Sequence, residues 1–417
     1  MISVQNHRLP LSGNKILCFL GLAAFMAACS PKIRPTPPAP AQQAVPMPKP
    51  VEKPPVKPTP APAVHTISML LPFELDMLNS PAGYNREHLQ KAYIALDYYQ
   101  GFKLALDSLT GKGYNYRLQV FDSKDHPAEA RNLAQNPKVK YSDLIVGPVF
   151  PDDMTAFIDA MYSMRRPIVS PLSPAAPSNF DSNNLITVTP PLEYHAWTTA
   201  QYINDRIKPK HVFVLRSGFS EETKYTVPFK RAMDSLSRRK TKVTVVTIVR
   251  GNLSTLVPKL SKTEQNVFVM PATNQAFLVV TLRSLDTLSR HYPVTLFGHP
   301  NWEKFSFLHA QLLQRLNTHI TSADRINYKS GQTIAFIKAY RKTYHTEPSQ
   351  FAIKGFDEGY YFGSLLAEKH SGFPDPTAAD FHGIQNNFHF IKKSRQGWIN
   401  EHVNIFKYVN FELKQVE

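Results

Sequence analysis

Cysteine is almost missing from this chain: among 417 residues only Cys18 and Cys29 occur, and both precede residue 30. A disulfide framework is therefore excluded for everything that follows, and a body of this size must be held by a large buried core. Long apolar runs are missing too. The run Ile16 to Ala28 is about a dozen residues, short of the ~20 that a bilayer-spanning helix requires. Acid is scarce against base, with 32 Asp and Glu facing 48 Lys and Arg, a formal charge of +16. The marks of common catalytic sites are absent as well: there is no G-x-S-x-G, no H-E-x-x-H and no P-loop. TGKGY at 110–114 imitates a phosphate loop but precedes a strand instead of opening a helix. Fifteen histidines are scattered along the chain, and His299 and His309 lack a third ligand at a credible spacing. Asp122 and Asp125 in FDSKDH read as a solvated loop. No catalytic residue, metal or cofactor is expected, and the chain does not read as an enzyme.

What is present begins with a leader. Arg8 and Lys15 stand before the apolar run, so residues 1–28 read as an export signal. Met26-Ala27-Ala28-Cys29 resembles a bacterial lipoprotein box, which implies that Cys29 is lipidated, becomes the mature N-terminus and ties the protein to an envelope membrane, the periplasm-facing side being favoured. Cys18 would leave with the signal. Thirteen of the thirty-four residues from 31 to 64 are proline. Such a stretch favours polyproline II and works as a stiff spacer, reaching roughly 100 Å at about 3.1 Å per residue; a proline-rich docking ligand is the rival reading. Residues 29–64 are thus assigned to the lipidated cysteine and its linker.

Removing Arg8 and Lys15 leaves +14, and Lys32, Arg34, Lys49, Lys53 and Lys57 against Glu52 place +4 in the linker, so +10 stays with the folded part. Outside the cytoplasm that charge suits anionic lipid or an acidic wall polymer such as peptidoglycan rather than nucleic acid, although a generally basic soluble surface has the same composition.

From His65 onward short apolar runs alternate with amphipathic stretches. HTISMLLPF, YRLQVFDS, SDLIVGP, PIVSPL and NLITVTP read as strands. Between them lie a long helix, with Leu89, Tyr93, Leu96, Tyr99, Phe102, Leu106 and Leu109 on one face, and shorter ones at 127–135 and DDMTAFIDAMYSM. After Pro190 and Pro191 the pattern restarts with HVFVLRSG, KVTVVTIV, NVFVMPAT and PVTLFGHP, separated by helices ending at Leu236, beginning near Leu253, and spanning Asn274 to Ser289. QTIAFIKAYRKTY and FAIKGFDEGYYFGSLLAEK read as later helices, and FHFIKK with HVNIFKYVNFEL as a closing hairpin. This alternation argues for α/β architecture: two doubly wound parallel-sheet lobes.

In such sheets ligands bind where loops leave the carboxyl ends of the strands. Here those loops are 72–74, 147–150 and 170–173 in the first lobe, and 217–220, 271–274 and 298–302 in the second. The candidate ligand-binding residues on them are Phe73, Phe150, Ser170, Ser173, Ser217, Asn274 and Trp302. Serines and asparagines at helix starts are more often caps than ligands, and Phe150 and Trp302 equally suit a core.

MLLPF, YYQGFKLALDSL, DLIVGPVF, RPIVSPLSP, FGHPNW and FDEGYYFGSLL, in this order, resemble the type I periplasmic binding proteins of the leucine-binding-protein group. The resemblance covers roughly residues 66 to 412. It implies a three-crossing hinge near Pro190, Asn327 and Gly383, giving lobe 1 as 65–190 with 328–383 and lobe 2 as 191–327 with 384–417. It also implies closure of the lobes around a small molecule, as in the substrate-binding proteins of ABC transporters. The chain departs from the amino-acid binders in two places. Val149 and Phe150 follow Gly147-Pro148 where small hydroxylated residues hold a ligand carboxylate, and the GHPNW loop offers no acid before Glu303. Only Ser170 and Ser173 match a ligand-holding pattern. A regulator of peptidoglycan synthases, or an envelope scaffold with this fold and no ligand, is the alternative function.

Overall fold

Short apolar runs build two sheets of seven strands each in the computed structural model. It describes residues 63–417 apart from 80, 82, 162–164 and 369–372; the export signal, Cys29 and nearly all of the linker lie outside the described residues. The first sheet takes β1 (Val64–Leu71), β2 (Asn115–Asp122), β3 (Leu144–Val146), β4 (Ile168–Ser170) and β5 (Leu185–Thr187). The second takes β6 (His211–Arg216), β7 (Lys242–Thr247), β8 (Asn266–Met270), β9 (Val294–Gly298) and β10 (Thr318–Ser322). After a two-stranded piece, β11 (Phe381–His382) and β12 (Asn387–Phe388), come β13 (Phe390–Lys393), β14 (Gly397–Asn400), β15 (Asn404–Val409) and β16 (Glu412–Gln415). The orders are β13-β14-β5-β4-β3-β1-β2 and β16-β15-β10-β9-β8-β6-β7.

Within β1–β5 and within β6–β10 every pairing is parallel, and both sheets end in an antiparallel hairpin. Strands buried on both faces explain why most of them are continuous apolar runs. In the first lobe α1 (Arg86–Thr110) and α9 (Gln350–Ala367) cover one face, and α2 (Pro127–Gln135) with α3 (Pro151–Ala160) cover the other. In the second lobe α4 (Leu192–Tyr202) and α5 (Thr223–Leu236) lie on one face, and α6 (Gln275–Ser289) with α7 (Ala310–Arg315) on the other. Helix α8 (Gly331–Tyr344) packs on α9 through Phe336, Tyr340, Ala352 and Ile353.

The chain passes between sheets three times, at 188–191, 323–330 and 401–403. The last of these differs from the crossing expected near Gly383. FHFIKK does not pair with HVNIFKYVNFEL; β13 folds back on β14, which adds in parallel beside β5, so residues 390–400 belong to the first sheet. Gly397 permits this insertion. Its φ is +73°, and a Cβ there would lie 2.0 Å from the Leu185 carbonyl oxygen.

Three further expectations change. No helix begins near Leu253; only a short 3₁₀ turn, Val257–Lys259, forms around Pro258. β10 was not expected, because THITS offers one aliphatic side chain, yet all five residues are buried. On α1 the buried residues are Ala95, Tyr98, Gly101, Phe102, Ala105, Leu106 and Leu109, whereas Leu89, Tyr93 and Leu96 are 43%, 60% and 41% exposed. The reason is close helix packing: a Cβ on Gly355 would meet the Tyr98 carbonyl oxygen at 2.1 Å, and one on Gly101 would collide with Ala352. Small residues, rather than the large apolar ones, define the contact.

Candidate functional site

At the first-lobe rim, one carboxylate shapes the loop after β1. Asp122, at the end of β2, accepts backbone N–H bonds from Phe73 (2.9 Å), Glu74 (3.0 Å), Leu75 (2.7 Å) and Lys124 (3.0 Å). Asp122 is thus a structural clamp rather than part of a solvated loop, and Asp125 is paired with Lys91 at 2.7 Å. The clamp seats Phe73 edge-on to Tyr99, with centroids 6.4 Å apart. Phe73, Phe150 and Leu172 each pack, partly buried, against the same first-lobe core. Lys91 lies 5.6 Å from the Phe150 ring centroid and 3.7 Å from buried Glu74. The resulting rim is apolar at its centre and internally ion-paired at its edge. Ser170 and Ser173 are buried, and the Ser173 hydroxyl accepts the Ala175 N–H at 3.2 Å.

The second-lobe candidates also spend their polar groups within the chain. Buried Glu222 accepts the Ser217 hydroxyl at 2.6 Å and the Ser217 N–H at 3.1 Å. Asn274 caps α6, its side-chain oxygen accepting the Phe277 N–H at 3.0 Å. Trp302 is 1% exposed and donates its indole N–H to the Ala272 carbonyl at 2.9 Å, tying together the loops after β8 and β9. Its ring packs so closely on Gly298 that a Cβ there would sit 2.2 Å from it. Phe73 and Phe150 therefore belong to one core and Trp302 to another.

Sequence reasoning did not single out the hinge cluster. Lys354 on α9 pairs with Asp324 of the second crossing at 2.7 Å. One turn further on, Asp357 accepts the N–H groups of Ile384 (2.8 Å), Gln385 (2.8 Å) and Asn386 (2.9 Å). Asp324 also bridges to Asn386, so the second crossing, α9 and the 384–386 segment are tied at one point. Beside them Tyr98 donates to Glu358 at 2.7 Å. Burial pushes Glu358 up to about 8 and Asp357 up to about 6. Burial opposes the Lys354 charge, but the neighbouring carboxylates, Asp324 foremost, raise its pKa. At neutral pH Glu358 is thus largely protonated, which limits how many charges are buried. The sequence signal was there: Lys354, Asp357 and Glu358 interrupt an otherwise apolar helix at i, i+3 and i+4.

Among the described residues no group of His, Cys, Asp and Glu is arranged to hold a metal ion, and no helix is long and apolar enough to cross a membrane. No family model and no curated protein sequence matches the chain. Solved structures do match. A proposed branched-chain amino acid ABC transporter protein from Rhodospirillum rubrum superposes with a TM-score of 0.62 at 12% identity, covering 85% of this chain and 100% of the other. An ABC transporter substrate-binding protein from Desulfitobacterium hafniense, in complex with Leu, gives 0.54 at 14% identity over 85% and 100%. The C-domain of LpoA from Haemophilus influenzae, a regulator of PBP1A, gives 0.54 at 11% identity over 84% and 100%.

Proposed function

We propose that this chain, which has the type I periplasmic binding protein fold, is a non-enzymatic cell-envelope lipoprotein that engages a protein partner, a peptidoglycan synthase, rather than closing on a solute. One observation carries this reading: the polar groups at Ser173, Ser217, Asn274 and Trp302 are already paired inside the chain. A solute would have to compete for the same oxygens and for the Trp302 N–H, with only the Ser173 O–H and the Asn274 amide N–H left over as donors, and closure is driven only by contacts that favour the closed state. The hinge cluster acts in the same direction, fixing the second crossing to α9 and the 384–386 segment with buried charges. A partner surface is available instead. Leu89, Tyr93 and Leu96 recur at helical spacing on the exposed side of α1, an apolar stripe of the kind that marks interaction sites. Lipidation at Cys29 and a long linker would let the domain reach across the wall.

A second reading has its own support. Phe73, Phe150 and Leu172 together offer an apolar bed, which favours a solute with an apolar body and no need of a carboxylate clamp.

Binding of the chain to the bifunctional peptidoglycan synthase of its own envelope tests the choice. The wild type is expected to bind, and Tyr93→Asp with Leu96→Glu to weaken binding tenfold or more while leaving the melting temperature within about a degree. Leucine, isoleucine and benzoate at millimolar concentration are expected to leave that temperature unchanged. A saturable rise of several degrees with any of them, without synthase binding, would establish the receptor reading instead.

A further inference from the structure

Beside the second crossing lies a groove of about 1010 Å3, walled by the loop after β9, residues 323–329, the Gln385–Asn387 segment and the β15–β16 hairpin. Its rim carries two flat rings in solvent, Tyr328 and Phe411, 63% and 64% exposed. Lys304 and Lys329 line it and form no ion pair among the described residues, whereas Arg325 is taken up by Glu303 at 2.8 Å and by the Phe406 ring at 5.2 Å. Side-chain amides, Ser306 and one further carboxylate, Glu412, supply the remaining polarity. Gln385 is 5% exposed and its backbone is fixed by Asp357, yet its Oε1 accepts no hydrogen bond. Asn387 stands beside it, with its Nδ2 3.3 Å from His402 Nε2.

We propose that this groove binds an oligosaccharide that carries carboxylate groups. Exposed rings present apolar faces on which the C–H side of a pyranose can lie. A fixed amide oxygen without a donor is an acceptor waiting for a hydroxyl or acetamide N–H, and an unmet buried acceptor is costly to leave unmade. Lys304, Arg325 and Lys329 outnumber Glu303 and Glu412 in the lining, and the two lysines, which hold no ion pair among the described residues, add attraction for carboxylates. Side-chain amides beside exposed rings suit the alternating hydroxyl and C–H faces of a sugar chain. This site is separate from the α1 stripe, so the inference does not depend on the synthase reading.

Glycan strands released from peptidoglycan and stripped of stem peptides are the probe, titrated calorimetrically into the full chain. Binding is expected, weakened at least tenfold by Tyr328→Ala, whose exposed ring is dispensable for folding, and similarly by Gln385→Met. Lys304→Gln with Lys329→Gln should lower affinity and flatten its salt dependence. Tyr93→Asp should leave glycan binding unchanged. Absence of binding to the wild type, indifference to Tyr328→Ala, or displacement of the glycan by polyglutamate with equal affinity would overturn the assignment.

Discussion

Lys354→Met is expected to destabilise the domain by roughly 3 kcal/mol, measured by denaturant unfolding. Removing one partner of a buried ion pair strands the other charge, at about 3–5 kcal/mol. The lower end applies, because the Asp324 side chain is 32% exposed and water softens its loss. Asp357 would lose its nearby cation as well. A second substitution discriminates between packing and charge: Lys354→Met with Asp324→Leu should recover a good part of the loss, since an apolar pair of similar volume often replaces a buried ion pair without penalty. If the double variant were as unstable as the single one, the pair would be incidental to the hinge. Recovery of stability with altered lobe geometry would show that the pair sets the angle between lobes.

Buried titratable groups, Glu358 and Asp357 of this cluster among them, govern a pH response. Glu358, Asp153 and Asp357 are pushed up by burial to about 8, 7 and 6. A carboxyl whose folded pKa is raised binds its proton more tightly when folded, so its stabilisation is present below that pKa and is lost as pH rises through it. His195, His299 and His319 work in the opposite sense: burial lowers each to about 4. Unfolding lets them take up protons below their ordinary value, so they cost stability as pH falls from about 6.5. Between roughly pH 5 and 6.5 the two groups nearly cancel. From there to about pH 8.5 the carboxyls dominate, and stability is expected to fall by roughly 1–3 kcal/mol. Glu358→Gln should remove most of that slope and keep a hydrogen bond to Tyr98. A profile that rises across this interval, or one unchanged in the glutamine variant, would show that Glu358 is ionised in the folded state.

The two lobes were legible because most strands are short apolar runs and parallel sheets bury both faces. Where that rule weakened, so did the reading. β10 hides behind Thr318, His319, Thr321 and Ser322, which are buried by neighbours on both sides rather than by their own hydrophobicity. The long helix showed its large apolar residues plainly, yet its buried face was chosen by glycines on α9, more than two hundred residues away. The third crossing moved because a turn after Lys393 reverses the chain one strand earlier than the hairpin pattern suggests. The rim loops themselves could be named from sequence. What they do could not be, because the groups that occupy them, Asp122 for the loop after β1 and Ala272 for Trp302, come from 30 to 49 positions away. Glu222, five residues beyond Ser217, was closer and could have been read as a loop-closing carboxylate. Buried charges on α9 were visible as interruptions of an apolar helix, though their partners in the second crossing and the 384–386 segment were not.

Distance between the lobes tests the account most directly. With Cys18 and Cys29 replaced by serine, Arg131→Cys on α2 and Arg231→Cys on α5, both exposed, can carry a single pair of spin labels for pulsed dipolar spectroscopy. One distance is expected, unchanged by millimolar leucine, isoleucine or benzoate. A shift of several ångströms on adding any of them would mean that the lobes do close on a solute, and that the internally paired rim is a resting state rather than the working one.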